Sequence, residues 1–364
     1  MEFSQNSRSG SYLPTLDGWR AISILGVMLC HSFDRTQDGW AHLLSRHGAK
    51  GVDIFFAISG LLITTRLLES QAEAGTQTLA GFYIRRIFRI FPPYFFFLFA
   101  LFIFNLFFDL PLSQKEAVSS VLFVRNYAAI LPPYGWYTAH LWSIAVEEHF
   151  YLIFPLLLFA WAPSKRRSCI VLAMICLLIA IWRHYSFHHL SPEHWEFGLS
   201  FFTRSDVRLD SLLWGAIYAL LLKQSSSKNA LLVLVSGYRF WVFVGVWCSI
   251  VYFAVPGESF LIPLLSPLLL LGTLLHPSRR ISRLFETRAL LYIGRISYSL
   301  YLWNSLFMPA KEAPELKMGF SILQSFPLQW ICTLTVATAS YYWIEKPFIR
   351  MGYRLAPAPQ KLRV

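Results

Sequence analysis

Charged residues are scarce in this sequence, and their scarcity limits what the protein can be. Of its 364 residues only 14% are Asp, Glu, Lys or Arg, whereas 55% are hydrophobic and 17% are aromatic. This composition is too apolar for a soluble domain of that length. Apolar runs long enough to span a membrane recur from end to end, and they predict an integral membrane protein.

Paired cysteines and a cleavable leader are also lacking. The five cysteines lie in or beside apolar runs without paired spacing, which predicts packing residues rather than a disulfide framework or a zinc site. We therefore expect no metal. No small-residue cleavage site follows the first apolar run, which predicts a retained helix rather than a signal peptide.

The apolar runs predict an all-α fold, a polytopic membrane bundle of about ten transmembrane helices. Residues 1–350 would form this domain, and residues 351–364 a short basic cytoplasmic tail. About two thirds of the Lys and Arg residues fall in segments that share a side with both termini, so both termini are predicted to be cytoplasmic. The predicted spans are 18–34, 51–68, 90–108, 141–162, 168–188, 207–222, 240–255, 258–275, 289–308 and 322–344.

The formal net charge of +12 is explained by this topology. The basic residues lie in short loops between the spans and form no long solvated patch. We therefore expect the lipid bilayer around the protein and no nucleic-acid partner.

Two ionisable residues in the first run are the most informative feature. Arg20 and His31 lie about three helical turns apart and within about 20° of the same face. A basic side chain and an imidazole are costly inside hydrocarbon. The pair therefore predicts a functional cavity, and a structural polar pair is the alternative.

Three arginines open the third run. Arg85 and Arg89 share a helix face, and Arg86 lies with Arg89 on the adjoining one. Guanidinium groups in this arrangement suit phosphate, because each offers planar paired donors and stays charged. Ordinary anchors to lipid phosphates are an equally good interpretation.

Polar residues also mark other runs. One face of the fourth run carries His140, Ser143, Glu147 and Tyr151, with Glu148 at its edge. The carboxylates must face water, a cation or a substrate, and an ion pair with Arg204 or Arg208 is the structural alternative. Other apolar runs also carry polar residues, and interhelical hydrogen bonding would explain any one of them taken alone. These residues are Asp53 and Ser59, Arg208 and Asp210, and Ser297, Tyr301 and Asn304.

Together these motifs resemble the acyltransferase-3 family of integral membrane acyltransferases, which modify sugars and related acceptors. The resemblance covers residues 12–350. It rests on Leu16–Arg20 with His31 at the Arg-x10-His spacing, Gly51–Phe56 with Ser59-Gly60, Arg85–Pro92, His140–Ser143 with Glu147-Glu148, Arg208-x-Asp210, Ser297–Trp303 and Glu345–Phe348.

The resemblance implies an enzyme of the bacterial cytoplasmic (inner) membrane. It would take an acyl group, usually acetyl, from cytoplasmic acyl-CoA to a hydroxyl of a glycan or lipid-linked sugar. The family's functional signatures fall on Arg20, His31, Arg86 and Arg89, with Arg85 beside them. The sequence departs from the family pattern at Trp19, His149 and Asn304, where Leu, Gln and often His are usual.

His31 is therefore the expected base, because an imidazole exchanges protons near neutral pH. Glu147 or Asp53 would orient its ring, and the sequence does not choose between them. The arginines would hold the CoA phosphates, about 16 Å of helix from His31. Tyr301 or Ser297 would polarise the thioester carbonyl.

The acceptor is left open among an O-antigen, an exopolysaccharide, a signalling oligosaccharide and a macrolide sugar. Its contacts would come from the outer loops 35–50, 109–139 and 189–204. The candidate side chains are His140, Glu148, Arg208, Asp210 and Asn304. A transporter or flippase of a glycolipid or small solute is the main alternative, and a non-catalytic membrane scaffold is the second.

Overall fold

The computed structural model describes residues 13–32, 47–72, 79–108, 110, 112–127, 135–160, 165–189, 202–276, 280–308 and 322–357. Its regular structure in these ranges is helical, without a strand, which confirms the predicted all-α class. Most of the outer-loop residues expected to contact the acceptor lie outside the described residues. They include His42, Tyr134 and Trp195, three side chains suited to contacts with a sugar.

The helices follow one another with short connections. They are α1 (Pro14–Ser32), α2 (Gly51–Ala72), α3 (Leu79–Phe108), α4 (Gln114–Val121), α5 (Trp136–Ala139), α6 (Leu141–Ala160), α7 (Lys165–His189), α8 (Ser205–Arg208), α9 (Asp210–Leu222), α10 (Ser225–Leu234), α11 (Gly237–Phe253), α12 (Glu258–Leu274), α13 (Arg280–Phe285), α14 (Arg288–Arg295), α15 (Ser297–Phe307), α16 (Leu328–Ser340) and α17 (Lys346–Leu355). A 3-10 turn covers Arg125–Tyr127, and a π-helical turn, Tyr341–Glu345, joins α16 to α17.

Four helical segments in the described ranges are long and apolar enough to cross a membrane. They are Gly51–Glu69, Leu79–Phe108, Trp136–Phe159 and Lys165–His189. The pair α10 and α11, bent by 75°, would add a fifth span if counted as one. The apolar helices α9 and α12 are shorter than the roughly 20 residues of a full span. The count of ten spans and the side of each terminus thus stay predictions.

The centre of the bundle is built from α1, α2, α9 and α15. The pair α2 and α9 is the most closely packed, because both helices carry glycine where they cross. A Cβ atom on Gly60 would lie 1.9 Å from the Leu212 carbonyl oxygen, and one on Gly215 would lie 2.6 Å from that of Ala57. The outer helices α3 and α7 expose large apolar side chains such as Phe99, as expected of surfaces in contact with lipid.

A buried polar network positions α5 over one end of the bundle. Arg125 is fully buried, and its Nε donates to the Thr138 hydroxyl at 2.9 Å. Its Nη2 donates to Glu116 and to the Gly135 carbonyl, both at 3.3 Å. The other side of α5 is tied to α15, where Ser305 Oγ donates to the Tyr137 carbonyl at 3.1 Å. α5 is therefore held in a fixed place next to the end of α1.

We predict that Gly60→Ala destabilises the protein, because the new methyl group would meet the backbone of α9. Overpacking of this kind costs about 1–3 kcal/mol. Gly245→Ala is the matched control, since a Cβ atom there meets nothing within 4 Å and alanine favours a helix. Thermal unfolding in detergent measures both variants. Equal melting temperatures for the two would contradict the α2–α9 contact.

Candidate active site

His31 is hydrogen-bonded to an amide. Its Nδ1 lies 2.6 Å from Oδ1 of Asn304, which is fully buried on α15. The Asn304 amide nitrogen donates to the carbonyls of Tyr301 at 2.5 Å and Leu300 at 3.3 Å, so its oxygen faces the ring. An amide oxygen only accepts, which assigns the ring proton to Nδ1 and the lone pair to Nε2.

Aromatic and hydroxyl side chains surround this pair. The Trp136 ring stands edge-on to His31, with ring centroids 5.2 Å apart, and Nε1 of the same tryptophan donates to the Met308 carbonyl at 3.1 Å. The Tyr301 hydroxyl donates to the His140 carbonyl at 2.8 Å and lies 2.6 Å from Ser143 Oγ. We name His31, Asn304, Trp136, Tyr301, Ser143 and His140 the histidine cluster.

The polar face of α6 continues from this cluster. Glu147 accepts hydrogen bonds from Ser59 Oγ at 2.8 Å and from the Tyr151 hydroxyl at 2.9 Å. Ser143, Glu147 and Tyr151 therefore share one inward-facing stripe, as their spacing predicts. Both carboxylate oxygens of Glu147 are used in these bonds, and the Asp53 carboxylate is bonded to Arg208. The roles of Glu147 and Asp53 toward His31 stay predictions beside the Asn304 contact.

Three arginines gather at the other end of the stripe. The Arg86 guanidinium lies over the Tyr151 ring, 4.5 Å from its centroid. Arg20 pairs with Asp17 at 3.0 Å and lies close enough to Arg86 and Arg89 to be repelled by both. Neither Arg86 nor Arg89 forms an ion pair with a described residue. We name Arg20, Arg86 and Arg89 the arginine cluster.

Arg85 belongs to a different contact. Its Nη1 donates to the Ala356 carbonyl at 2.9 Å, which ties α3 to the end of α17. The expected tail from residue 351 thus begins within a packed helix. Glu148 has a buried Oε1 without a hydrogen-bond partner among the described residues, and Ser297 is buried at the start of α15.

Glu345 is a site residue to which the sequence assigned no role. This buried carboxylate accepts from Ser299 Oγ at 2.8 Å and faces the positive charges of Arg20 and Arg89. It lies in the π-helical turn, and such turns often mark functional sites. The sequence signal for this residue was the Glu345–Phe348 motif. A motif along the chain does not show which charged side chains the carboxylate faces in the fold.

The other charged residues form structural ion pairs. Arg208 Nη2 donates to Asp53 at 2.7 Å, and Arg204 pairs with Asp206. The alternative that pairs Arg204 or Arg208 with the α6 carboxylates stays a prediction beside these contacts. Asp210 is held by Arg183 through two bonds of 3.0 and 3.1 Å. Arg183, a lone arginine in the apolar run of α7, was the sequence signal for this pair.

The histidine and arginine clusters lie toward opposite ends of α1. Arg20 and His31 are both on α1, separated by about 16 Å of helix rise. Ser143 and Tyr151 reach the same two ends along α6. Among the described residues, no group of three or more His, Cys, Asp or Glu could hold a metal ion. An imidazole thus lies at one end of α1, and half-buried positive charge lies at the other.

Residues 13–346, nearly the whole chain, match the acyltransferase 3 family, described as an acyltransferase domain. This chain belongs to that family. The matched residues include both the histidine cluster and the arginine cluster. The acyltransferase assignment agrees with the resemblance seen in its motifs.

Two relatives of this chain come from Staphylococcus aureus. O-acetyltransferase OatA of strain NCTC 8325 / PS 47 is 29% identical over 372 residues, which cover 95% of this chain and 58% of the relative. Putative O-acetyltransferase SAR0937 of strain MRSA252 is 28% identical over 382 residues, covering 97% of this chain and 61% of the relative. The chain thus spans about three fifths of the length of these curated relatives. No solved structure matches it.

We predict that Arg183→Met strongly destabilises the protein, because it leaves the Asp210 carboxylate buried and unpaired. Breaking one side of a buried pair costs about 3–5 kcal/mol. The double variant Arg183→Met with Asp210→Leu should recover most of the stability, since no lone charge remains. Arg166→Met, at an exposed position on α7, is the control. Thermal unfolding in detergent measures the stability of each variant. A double variant as unstable as the single one would refute the structural role of the Arg183–Asp210 pair.

Proposed function

We propose that this protein is a membrane O-acyltransferase. It moves an acyl group, most simply acetyl, from cytoplasmic acyl-CoA to a hydroxyl of a glycan, glycolipid or related sugar-containing acceptor. Family membership and relatives named O-acetyltransferases support the reaction type. The observation that carries the proposal is His31 with its Nδ1 bonded to Asn304, on the same helix as Arg20 of the arginine cluster.

The arginine cluster would bind the phosphates of CoA. Arg86 and Arg89 are half-buried cations without an ion-pair partner among the described residues, and Arg20 is repelled by both. The Glu345 carboxylate faces Arg20 and Arg89 and offsets part of this repulsion. A polyanionic ligand would offset more of it, because like charges brought together are unfavourable. Phosphates bound here would leave about 16 Å for the pantetheine arm to reach His31.

His31 would act as the general base. With Nδ1 protonated and bonded to Asn304, Nε2 carries the lone pair that can accept a proton from the acceptor hydroxyl. An asparagine can fix the tautomer and orientation of a catalytic histidine without adding charge. This role suits a membrane interior, where a second charge would be costly.

The topology completes the proposal. Ten spans with both termini in the cytoplasm would direct the arginine cluster to the cytoplasmic side and His31 toward the opposite face. Acceptors such as an O-antigen or an exopolysaccharide would then approach from outside the bacterial inner membrane. Family membership favours group transfer over the transporter or flippase alternative.

The direct test is acetyl-CoA binding and turnover by the purified protein in nanodiscs. We expect the wild type to bind acetyl-CoA and hydrolyse it slowly, with water replacing the acceptor. His31→Ala should keep binding but lose turnover, because the base is removed. The double variant Arg86→Ala with Arg89→Ala should lose binding, because the phosphate ligands are removed.

The control is Lys165→Ala with Arg166→Ala, which removes two exposed positive charges from the start of α7. This variant should bind acetyl-CoA like the wild type. Absence of binding by the wild type would reject the donor assignment and move the transporter alternative to the front.

Asn304 provides a second prediction. Asn304→Leu should lower kcat for acetyl-CoA turnover by about 100-fold, because the base loses its orientation, while the Kd for CoA stays unchanged. Asn304→Asp should retain more activity than Asn304→Leu, since a carboxylate oxygen also accepts from Nδ1. Steady-state kinetics and CoA binding measure the two effects separately. Equal kcat for Asn304→Leu and wild type would show that His31 does not depend on this bond.

A further inference from the structure

A second imidazole, that of His140, lies beside His31. His140 is 5% exposed, and its ring packs edge-on against Tyr301 and Phe97, with centroid distances of 5.4 and 5.6 Å. It lies close enough to His31 for a charge on either ring to oppose a charge on the other. Two imidazoles therefore share one end of the site.

Both ring nitrogens of His140 lack a hydrogen-bond partner among the described residues. The Leu302 backbone lies near the ring without completing a hydrogen bond of ordinary geometry. Buried polar atoms are nearly always paired, because an unpaired one keeps its full desolvation cost. A buried imidazole left in this condition is suited to bind a group that arrives with the substrate.

Tyr301 holds the backbone that carries this ring. Its hydroxyl has one proton, which it donates to the His140 carbonyl at 2.8 Å, and Ser143 Oγ lies 2.6 Å from the same hydroxyl. The Tyr301 carbonyl in turn accepts from Asn304 at 2.5 Å. One chain of hydrogen bonds thus links the residue that orients His31 to the residue that carries the second imidazole.

From this geometry we infer that His140 donates a hydrogen bond to the carbonyl oxygen of the acyl thioester. The inference rests on the proposed function and adds a catalytic residue to it, with Tyr301 as a positioning residue. A neutral imidazole carries one N–H donor. A donor fixed in a buried site stabilises developing negative charge without reorganisation at the moment of reaction.

Acyl transfer from the thioester to the acceptor hydroxyl then proceeds in two stages. The acceptor oxygen bonds to the acyl carbon while its proton passes to Nε2 of His31, and the carbonyl electron pair moves onto the oxygen that accepts from His140. Collapse of this oxyanion restores the carbonyl and breaks the carbon–sulfur bond. The proton on His31 then passes to the departing thiolate. The products are an ester and free CoA, and both imidazoles return to their starting forms.

The test uses the full chain in nanodiscs with acetyl-CoA. In His140→Leu, kcat should fall by about 100- to 1,000-fold, while the Kd for CoA changes by no more than about twofold. His140→Gln should lose less, because its amide can donate a hydrogen bond. His149→Gln, the same substitution at a half-buried histidine of α6 bonded to Ser205, is the matched control and should keep the wild-type kcat.

A more reactive acyl donor distinguishes oxyanion stabilisation by His140 from a packing role of its ring. Fluorine withdraws electrons from the carbonyl and stabilises the oxyanion by itself, so the kcat deficit of His140→Leu should shrink with fluoroacetyl-CoA. A deficit equal for both donors, or a kcat within about threefold of wild type, would overturn the role of His140 and leave the proposed function standing. Should His140→Leu fail to fold, the same comparison with His140→Gln decides. A wild type without any acetyl-CoA turnover would overturn both.

Discussion

The hydrogen bond between His31 Nδ1 and Asn304 Oδ1 is the contact on which the rest of the site depends. It joins α1 to α15. It also assigns the ring proton of His31, which lies on the same helix as Arg20 of the arginine cluster. The Asn304 amide is fixed in turn by the backbone of Tyr301, whose hydroxyl holds the backbone of His140. A change in any of these bonds would alter the position or tautomer of an imidazole.

Charge is distributed in two distinct ways in this bundle. Asp53 with Arg208, Asp210 with Arg183, and Glu116 with Arg125 pair and so stabilise helix contacts. The arginine cluster differs, because Arg86 and Arg89 make no such pair among the described residues. Glu345 faces Arg20 and Arg89 without a direct ion pair to Arg89, and positive charge held without such a pair is costly in an apolar protein. This contrast separates charges that hold the fold from charges that are suited to meet an anionic substrate.

Helix periodicity predicted which polar residues share a face of one helix, but not which side chains of other helices they contact. The all-α class, the shared face of Arg20 and His31 and the stripe along α6 follow from spacing within single helices. The partner of His31 is 273 residues away, and the partner of Asp210 is 27 residues away on another helix. Such pairings depend on how the helices pack, which spacing along the chain does not determine.

The central claim is that the acyl end of CoA reaches His31 while its phosphates lie at the arginine cluster. Photo-crosslinking with a CoA thioester that carries a diazirine on its acyl chain, followed by peptide mapping, tests this most directly. The account predicts labelling around the histidine cluster, at the end of α1 and at α5, which excess acetyl-CoA abolishes. Labelling confined to segments near the arginine cluster, or labelling that acetyl-CoA does not compete, would contradict it.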